Sequence, residues 1–292
     1  MTNVSKRLSR TLLGVAVTMF ILVASVAKAS DDSVESILKQ GNKEGDRAVV
    51  SVDGVEYAFR WAPAGSFVMG SSKDGSGEVG GDVDFGVLHK VTLTRGFWIL
   101  ETETTQKMWR AVCGENPSKY EGDSKPVDTV SHDDAVVFCE KLTSLARLPD
   151  GTKFQLPTEA QWEYVARAGE TGLLKTDELE KFAWFGDDDY GGTHDVATKS
   201  PNAWGVYDML GNLWEWTADK AGKIAVDENG NGLDVVDPTG ATDEETPANL
   251  RTDRGGCWDS YDYECNFAYR GYYNGDRKGP YVGFRFIYMP KP

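Results

Sequence analysis

The sequence predicts an α+β domain of many short strands and long loops, with few helices and little regular secondary structure. Three observations point there. The 292 residues include 32 Gly, 9 Trp and 12 Tyr, and the apolar runs are short and broken by turn residues. Only three segments carry helical start signals or periodicity. Strand-like runs sit at both ends of the domain, so the two ends can pair. No tandem repeat or low-complexity block interrupts this pattern.

Taken in order, the chain opens with a basic stretch, Lys6, Arg7 and Arg10, followed by an apolar run over 11–26 and the small-x-small triplet Ala27-Lys28-Ala29. This reads as a signal peptide, 1–29, cut after Ala29. The run of roughly 16 residues falls short of the about 20 that a spanning helix needs. No lipobox cysteine follows it. Residues 30–46 read as a polar linker and 47–292 as the domain, placed in the periplasm, at the cell surface or outside the cell, with no membrane insertion after cleavage.

Strands are expected over 57–62, 66–69, 90–94, 97–100 and 283–288. The first helix spans 105–112, with Met108, Ala111 and Val112 on one side. The second follows Ser131, which forms a capping-box pair with Asp134; Ala135, Phe138, Cys139 and Leu142 then repeat at helical spacing. The third begins at Thr158, boxed with Gln161, turns Trp162, Val165 and Ala166 inward and stops near Gly169. The stretch 218–253 is acidic and reads as loop.

The net charge of −15 disfavours nucleic acid and anionic membranes and suits cations such as calcium. Four cysteines, Cys113, Cys139, Cys257 and Cys265, are an even number in an exported chain and suggest disulfides, in any of three connectivities. None of their spacings is that of a zinc site. Asp227-Glu228-Asn229-Gly230-Asn231-Gly232 matches the first half of a calcium loop, but Pro238 stands where the closing Glu belongs, so a plain turn is the better reading.

Six segments, in order, carry a family resemblance. They are Pro63-Ala64-Gly65-Ser66-Phe67-Val68-Met69-Gly70, Pro126-Val127-Asp128-Thr129-Val130-Ser131, Leu156-Pro157-Thr158-Glu159-Ala160-Gln161-Trp162-Glu163-Tyr164, the run from Asn202 through Gly205-Val206-Tyr207-Asp208-Met209-Leu210-Gly211-Asn212-Leu213-Trp214-Glu215-Trp216, Arg254-Gly255-Gly256-Cys257-Trp258, and Gly283-Phe284-Arg285. Together they resemble the formylglycine-generating-enzyme, or sulfatase-modifying-factor, family. The resemblance implies a variant of the C-type-lectin fold in which Trp162, Trp204, Trp214 and Trp216 are core residues.

In that family, two cysteines spaced C-x4-C bind copper(I), activate oxygen and convert a client sulfatase cysteine to formylglycine. In this chain the first position falls at Ser260, and Cys257 and Cys265, the pair an oxidase would have to use, are spaced wrongly. Copper therefore enters only if the chain is an oxidase. The resemblance also implies a Cys139–Cys265 disulfide, which leaves Cys113 with Cys257. It implies a structural calcium at Asp208, Gly211, Leu213 and Glu215. His89, His132 and His194 are too scattered for the iron site of some relatives. The closing region interleaves tyrosines with small and acidic residues, as binding loops do. Asp259, Tyr261, Tyr263, Tyr272 and Tyr273 are the expected ligand face of a binding module, its partner an unknown protein or small molecule; the alternative is the copper oxidase.

Overall fold

A two-residue turn, Asp53-Gly54, starts the sheet on which the rest is assembled. Both residues take positive φ, 50° and 76°, the geometry that matches strand twist in a tight hairpin. They join β1 (Arg47–Val52) to β2 (Val55–Ala62), pairing Val52 with Val55. The structure, a computed structural model, describes residues 33–71, 86–186, 191–241 and 246–291; the expected signal peptide lies outside the described residues. Ahead of β1, the described part of the expected linker carries the single helical turn α1 (Val34–Ile37). Val34 and Leu38 are buried there, and Trp98 Nε1 donates to Lys39 O at 2.7 Å. Its apolar residues thus tie this segment onto the domain.

The remaining elements are β3 (Gly65–Met69), β4 (His89–Leu93), β5 (Phe97–Leu100), α2 (Gln106–Cys113), α3 (His132–Leu145), β6 (Phe154–Gln155), α4 (Glu159–Arg167), α5 (Thr176–Leu179), β7 (Trp214–Lys220), β8 (Val235–Val236), β9 (Leu250–Arg254), β10 (Arg270–Asn274), β11 (Val282–Gly283) and β12 (Ile287–Tyr288). They make three sheets, ordered β1-β2-β5-β12-β6, β10-β9-β7-β11 and β3-β4-β8. The capping boxes of α3 and α4 are both formed, and the helical faces expected on them are buried. On α2 the burial differs: Gln106 and Trp109 are the buried residues and Ala111 is exposed. Gln106 is drawn inward by donating to Tyr120 O and Pro126 O.

The strand expected over 283–288 is two strands in two sheets. β11 pairs in parallel with β7, and β12 pairs antiparallel with both β5 and β6. The chain changes sheets at Arg285, whose buried guanidinium occupies the junction. The stretch 218–253, expected as loop, contributes β8, most of β9 and the end of β7. Its strands escape a hydrophobic-pattern reading because β9 buries Asp253 and Arg254 in place of apolar residues.

Two clusters form the core. One joins the five-stranded sheet to α2 and α3, with Phe286 against Phe59, Phe138 and Phe154 at centroid distances of 5.8, 5.8 and 5.3 Å. The other packs α4, through Trp162 and Val165, against Phe97, Ile99 and Met209. Ion pairs run between them. Arg285 and Glu215 are 0% and 1% exposed at the side chain and meet at 2.7 Å. Arg254 spans Glu159 at 2.7 Å and Glu163 at 2.5 Å and also donates to Phe267 O. Arg270 completes Glu159, and Arg167 completes Glu163.

Two measurements test this interior. Glu215→Gln leaves Arg285 buried without its counter-ion and should cost about 3–5 kcal/mol in denaturant unfolding; an effect below about 1 kcal/mol would mean the pair is not closed. The second is pH dependence. Burial pushes the carboxyls of Asp219 and Asp253 up to about 7. The folded chain then keeps protons that the unfolded chain releases above about pH 4, so these groups lose stabilisation as pH rises through that window. Burial acts on Glu159 in the same sense, but Arg270 and Arg254 outweigh it and hold the group at about 2. Its contribution is present at neutral pH and lost only in acid. Replacing Asp253 by Asn should therefore gain on wild type by roughly 2–4 kcal/mol between pH 4 and pH 8. A variant-to-wild-type difference that stays constant over that range would show that Asp253 is ionised throughout.

Candidate functional site

β9 ends at Arg254, and Gly255 and Gly256 turn the chain with φ of 99° and 77°. A side chain on Gly256 would put its Cβ 2.5 Å from Cys265 Sγ. The loop 257–265 then closes on itself. Cys257 N donates to Ser260 Oγ at 3.1 Å and Ser260 N to Cys257 O at 3.0 Å. Glu264 N and Cys265 N both donate to Tyr261 O, and Tyr261 N returns a bond to Glu264 Oε2 at 2.9 Å. Ser260, where the family resemblance would place a copper-binding cysteine, is 4% exposed and fastens a turn.

All four cysteines are free thiols. The expected Cys139–Cys265 and Cys113–Cys257 bonds are absent from the structure, and the packing gives the reason. Cys139 is held by α3 in the first core cluster, where Cys113 packs against the same cluster from α2. Cys265 belongs to the second cluster, and its Sγ lies 4.0 Å from Cys257 O. Burial pushes the Cys257 thiol up to about 11 and the Cys265 thiol well above its ordinary value. Cys257 Sγ sits 3.5 Å from Ser260 Oγ. A copper(I) pair needs two thiolates converging on an open site; two neutral thiols, 3% and 2% exposed, do not fit that requirement.

The expected ligand face is divided. Tyr261, 68% exposed, stacks on Tyr263 with centroids 5.5 Å apart and planes 11° from parallel. Tyr263 reaches Tyr269 at 6.2 Å, and Tyr269 meets Trp214 at 5.6 Å. Burial, then Glu264 and Tyr263, raise the Tyr269 phenol to about 12. Tyr272 and Tyr273 are successive residues of β10, so the two-residue period sends them to opposite faces. The Arg270 guanidinium lies 5.8 Å from the Tyr272 ring, and that of Arg277 lies 3.4 Å over Tyr273. Asp259 and Asp262 are exposed beside the stacked pair; Asp262 accepts from Thr176 and from Tyr263 N.

A second aromatic group adjoins this one and was missed in the sequence. Trp258 stacks on Tyr281 at 5.4 Å and meets the edge of Tyr120 at 5.6 Å, with Lys119 Nζ 4.9 Å over Tyr120. Tyr281 O accepts from Trp214 N, which joins the two groups. The Trp after the double glycine was the available signal; Tyr120 comes from a distant loop and had none. A separate cavity of about 280 Å³ opens at the end of α4, between Leu174, Phe182, Met209 and Phe267. None of Asp259, Tyr261, Tyr263, Tyr272 and Tyr273 lines it, whereas Asp208, an expected calcium ligand, does.

The expected calcium ligands are adjacent, but Glu215 is occupied. Its oxygens accept from Arg285 Nε and Nη2 and from Trp162 Nε1. An ion could take this carboxylate only by displacing a guanidinium. Asp208 is 3% exposed, its Oδ2 accepts from Ala197 N, and its backbone O accepts from Arg285. Burial raises its carboxyl to about 6. Gly211 packs so closely that a Cβ would stand 2.2 Å from Trp184 O; Leu213 N is taken by Glu103. In the 227–232 turn, Asp227 accepts from Asn229 N, Asn231 N and Asn231 Nδ2, so its carboxylate is satisfied by its own loop. The histidines do not converge: His132 meets the edge of Trp216, His194 stacks on Trp184, and His89 bonds Val87 O. No group of three or more His, Cys, Asp or Glu side chains able to hold a metal ion stands among the described residues.

This geometry has known counterparts. The solved structure of Treponema denticola variable protein 1 superposes with a TM-score of 0.71 at 26% identity, covering 84% of this chain and 99% of that one. Chaperone protein LppX of Paenibacillus barcinonensis is 27% identical over 68% of this chain and 81% of its own length. The formylglycine-generating enzyme of Mus musculus is 29% identical over 61% of this chain, and the match spans only 48% of the mouse enzyme. The profile of the sulfatase-modifying factor enzyme 1-like domain matches residues 56–289, and the chain is a member of that family.

Proposed function

We propose that this chain is an exported binding module of the family and not a formylglycine-generating oxidase. One observation carries the reading: the two sulfurs in the active-site region of the oxidase members are here buried, neutral thiols, with Ser260 turned into a fastener between them. A hydroxyl stays protonated at neutral pH and is a hard ligand, so it does not replace a thiolate on copper(I). What the region offers to solvent is aromatic surface. Tyr261 and Tyr263 stand on a loop closed by its own hydrogen bonds, with Tyr269 packed behind Tyr263, and rings held this way bind at low entropic cost. The chaperone name of one relative accords with a protein ligand. No helix among the described residues is long and apolar enough to cross a membrane, and export rests on the N-terminal sequence. Calcium at Asp208, Gly211, Leu213 and Glu215 is a separate proposal: metal-stripped wild type should melt higher when calcium is restored, and no shift at millimolar calcium would remove it.

Two outcomes test the binding reading against the oxidase. Incubated with a cysteine-containing sulfatase peptide, oxygen and copper, the mature protein should yield no aldehyde by mass spectrometry; peptide aldehyde that depends on Cys257 and Cys265 would establish the oxidase instead. In the native state at pH 8, Cys257 and Cys265 should resist iodoacetamide and react only after denaturation. Rapid alkylation of either in the folded protein would mean the sulfurs are open to substrate and metal.

A further inference from the structure

The stacked tyrosines and the carboxylates around them differ from the other exposed rings in one respect. The other two exposed tyrosines among the described residues lie near the chain's own cations: Arg277 lies 3.4 Å over Tyr273 and Arg270 lies 5.8 Å from Tyr272, while half-buried Tyr120 has Lys119 4.9 Å over its ring. Tyr261, at 68% the most exposed large hydrophobic or aromatic side chain among the described residues, has a ring partner in Tyr263 and, among those residues, no cation. Asp262 and Glu264 flank that pair, and Asp259 is exposed two residues before Tyr261 on the same loop. Their bonds are to Thr176 and to backbone N–H groups of the same loop, and among the described residues none of the three forms an ion pair. Burial, then Glu264, Tyr261 and Asp262, raise the Tyr263 phenol above its ordinary value, so the fields of both carboxylates reach its hydroxyl.

From this we infer that the Tyr261–Tyr263 face docks a basic peptide segment, an extended stretch of a partner protein carrying arginine or lysine. The inference rests on the binding-module reading and names the partner's chemistry. A guanidinium or ammonium over the ring faces of Tyr261 and Tyr263 is attracted by their quadrupoles. The same charge placed beside Asp259, Asp262 and Glu264 meets uncompensated carboxylates. Arg277 on Tyr273 is the arrangement in miniature, made within the chain. The loop's own hydrogen bonds fix the rings before the partner arrives, so little ordering cost falls on binding. An acidic or phosphorylated partner is repelled by the same carboxylates, and the chain's net charge of −15 adds to that repulsion.

The test is fluorescence anisotropy of three labelled nonapeptides against the mature protein at low and physiological salt: one alternating arginine with glycine and serine, one alternating glutamate, and one neutral. The arginine peptide should bind at least tenfold tighter than the neutral one and weaken with salt. The double variant Tyr261→Ser with Tyr263→Ser keeps every charge and should weaken it about 5- to 30-fold. Asp259→Asn with Asp262→Asn should do likewise. Glu56→Gln with Glu121→Gln removes two charges elsewhere and serves as the control for attraction to net charge alone, so binding should hold there. Arginine-peptide binding that survives the tyrosine variant, or falls equally in the control, overturns the inference. Neutral-peptide binding that is as tight and is lost in the tyrosine variant also overturns it, while leaving the binding module standing. Failure of all three peptides to bind overturns it as well; the module itself falls only if the peptide-oxidation assay yields aldehyde.

Discussion

The buried pair of Arg285 and Glu215 is the interaction on which the rest of the molecule depends. Arg285 lies where the chain leaves one sheet for another, and its N–H donors are spent on four neighbours. Glu215 takes two of them, and the carbonyls of Tyr207, Asp208 and Leu100 take the rest. Glu215 belongs to β7 of the four-stranded sheet, Leu100 to β5 of the five-stranded sheet, and Tyr207 and Asp208 to the loop between. A fully buried charge is tolerable only when paired and fully hydrogen-bonded. The requirement therefore fixes the relative position of two sheets and a loop at once, with a directionality that apolar packing lacks. Glu103, beside it, bonds Asn212 and Leu213 N and extends the same network into the turn before β7.

What could be read from sequence was what is local. The boxes at Ser131 and Thr158 need only residues three apart, and both helices begin where those residues stand. The hairpin at Asp53-Gly54 was equally local and went unread, although its two turn residues are the standard signal. The polar strands were hidden for a different reason. β9 reads Leu-Arg-Thr-Asp-Arg, and nothing along the chain reveals that Asp253 and Arg254 point into the protein. The partners of Arg254 lie on α4, and the charge of Arg277 acts on Asp253, both far off in sequence. Likewise the six family motifs located Trp162, Trp214 and Trp216 in the core, with Trp204 half-buried against it, but partnerships between distant residues were beyond them.

The candidate site shows the same division. Tyrosines, glycines and acids in the closing region were visible as a composition. Which of them share a face was not, because β10 is a strand and its period separates Tyr272 from Tyr273. The cysteines make the point more sharply. A pairing carried over from relatives set Cys139 against Cys265, yet the fold places these residues in different core clusters. On the proposed reading, the buried thiols and the exposed aromatic pair share one nine-residue loop, so that loop alone would separate a redox site from a recognition surface on the same scaffold.

The position of β12 has a consequence for how the protein comes into being. It lies inside the five-stranded sheet, with Ile287 paired to Ile99 on one side and Gln155 on the other. β5 and β6 make no ladder with each other; the strand between them comes from the far end of the domain. Until that strand is synthesised, β5 has one bare edge and Phe59, Phe138 and Phe154 lack the Phe286 ring that fills the space between them. Strand edges and uncovered aromatic surface are what chaperones bind. The five-stranded sheet thus cannot close until nearly all of the domain has been made, and its last strand is the one that joins its two halves.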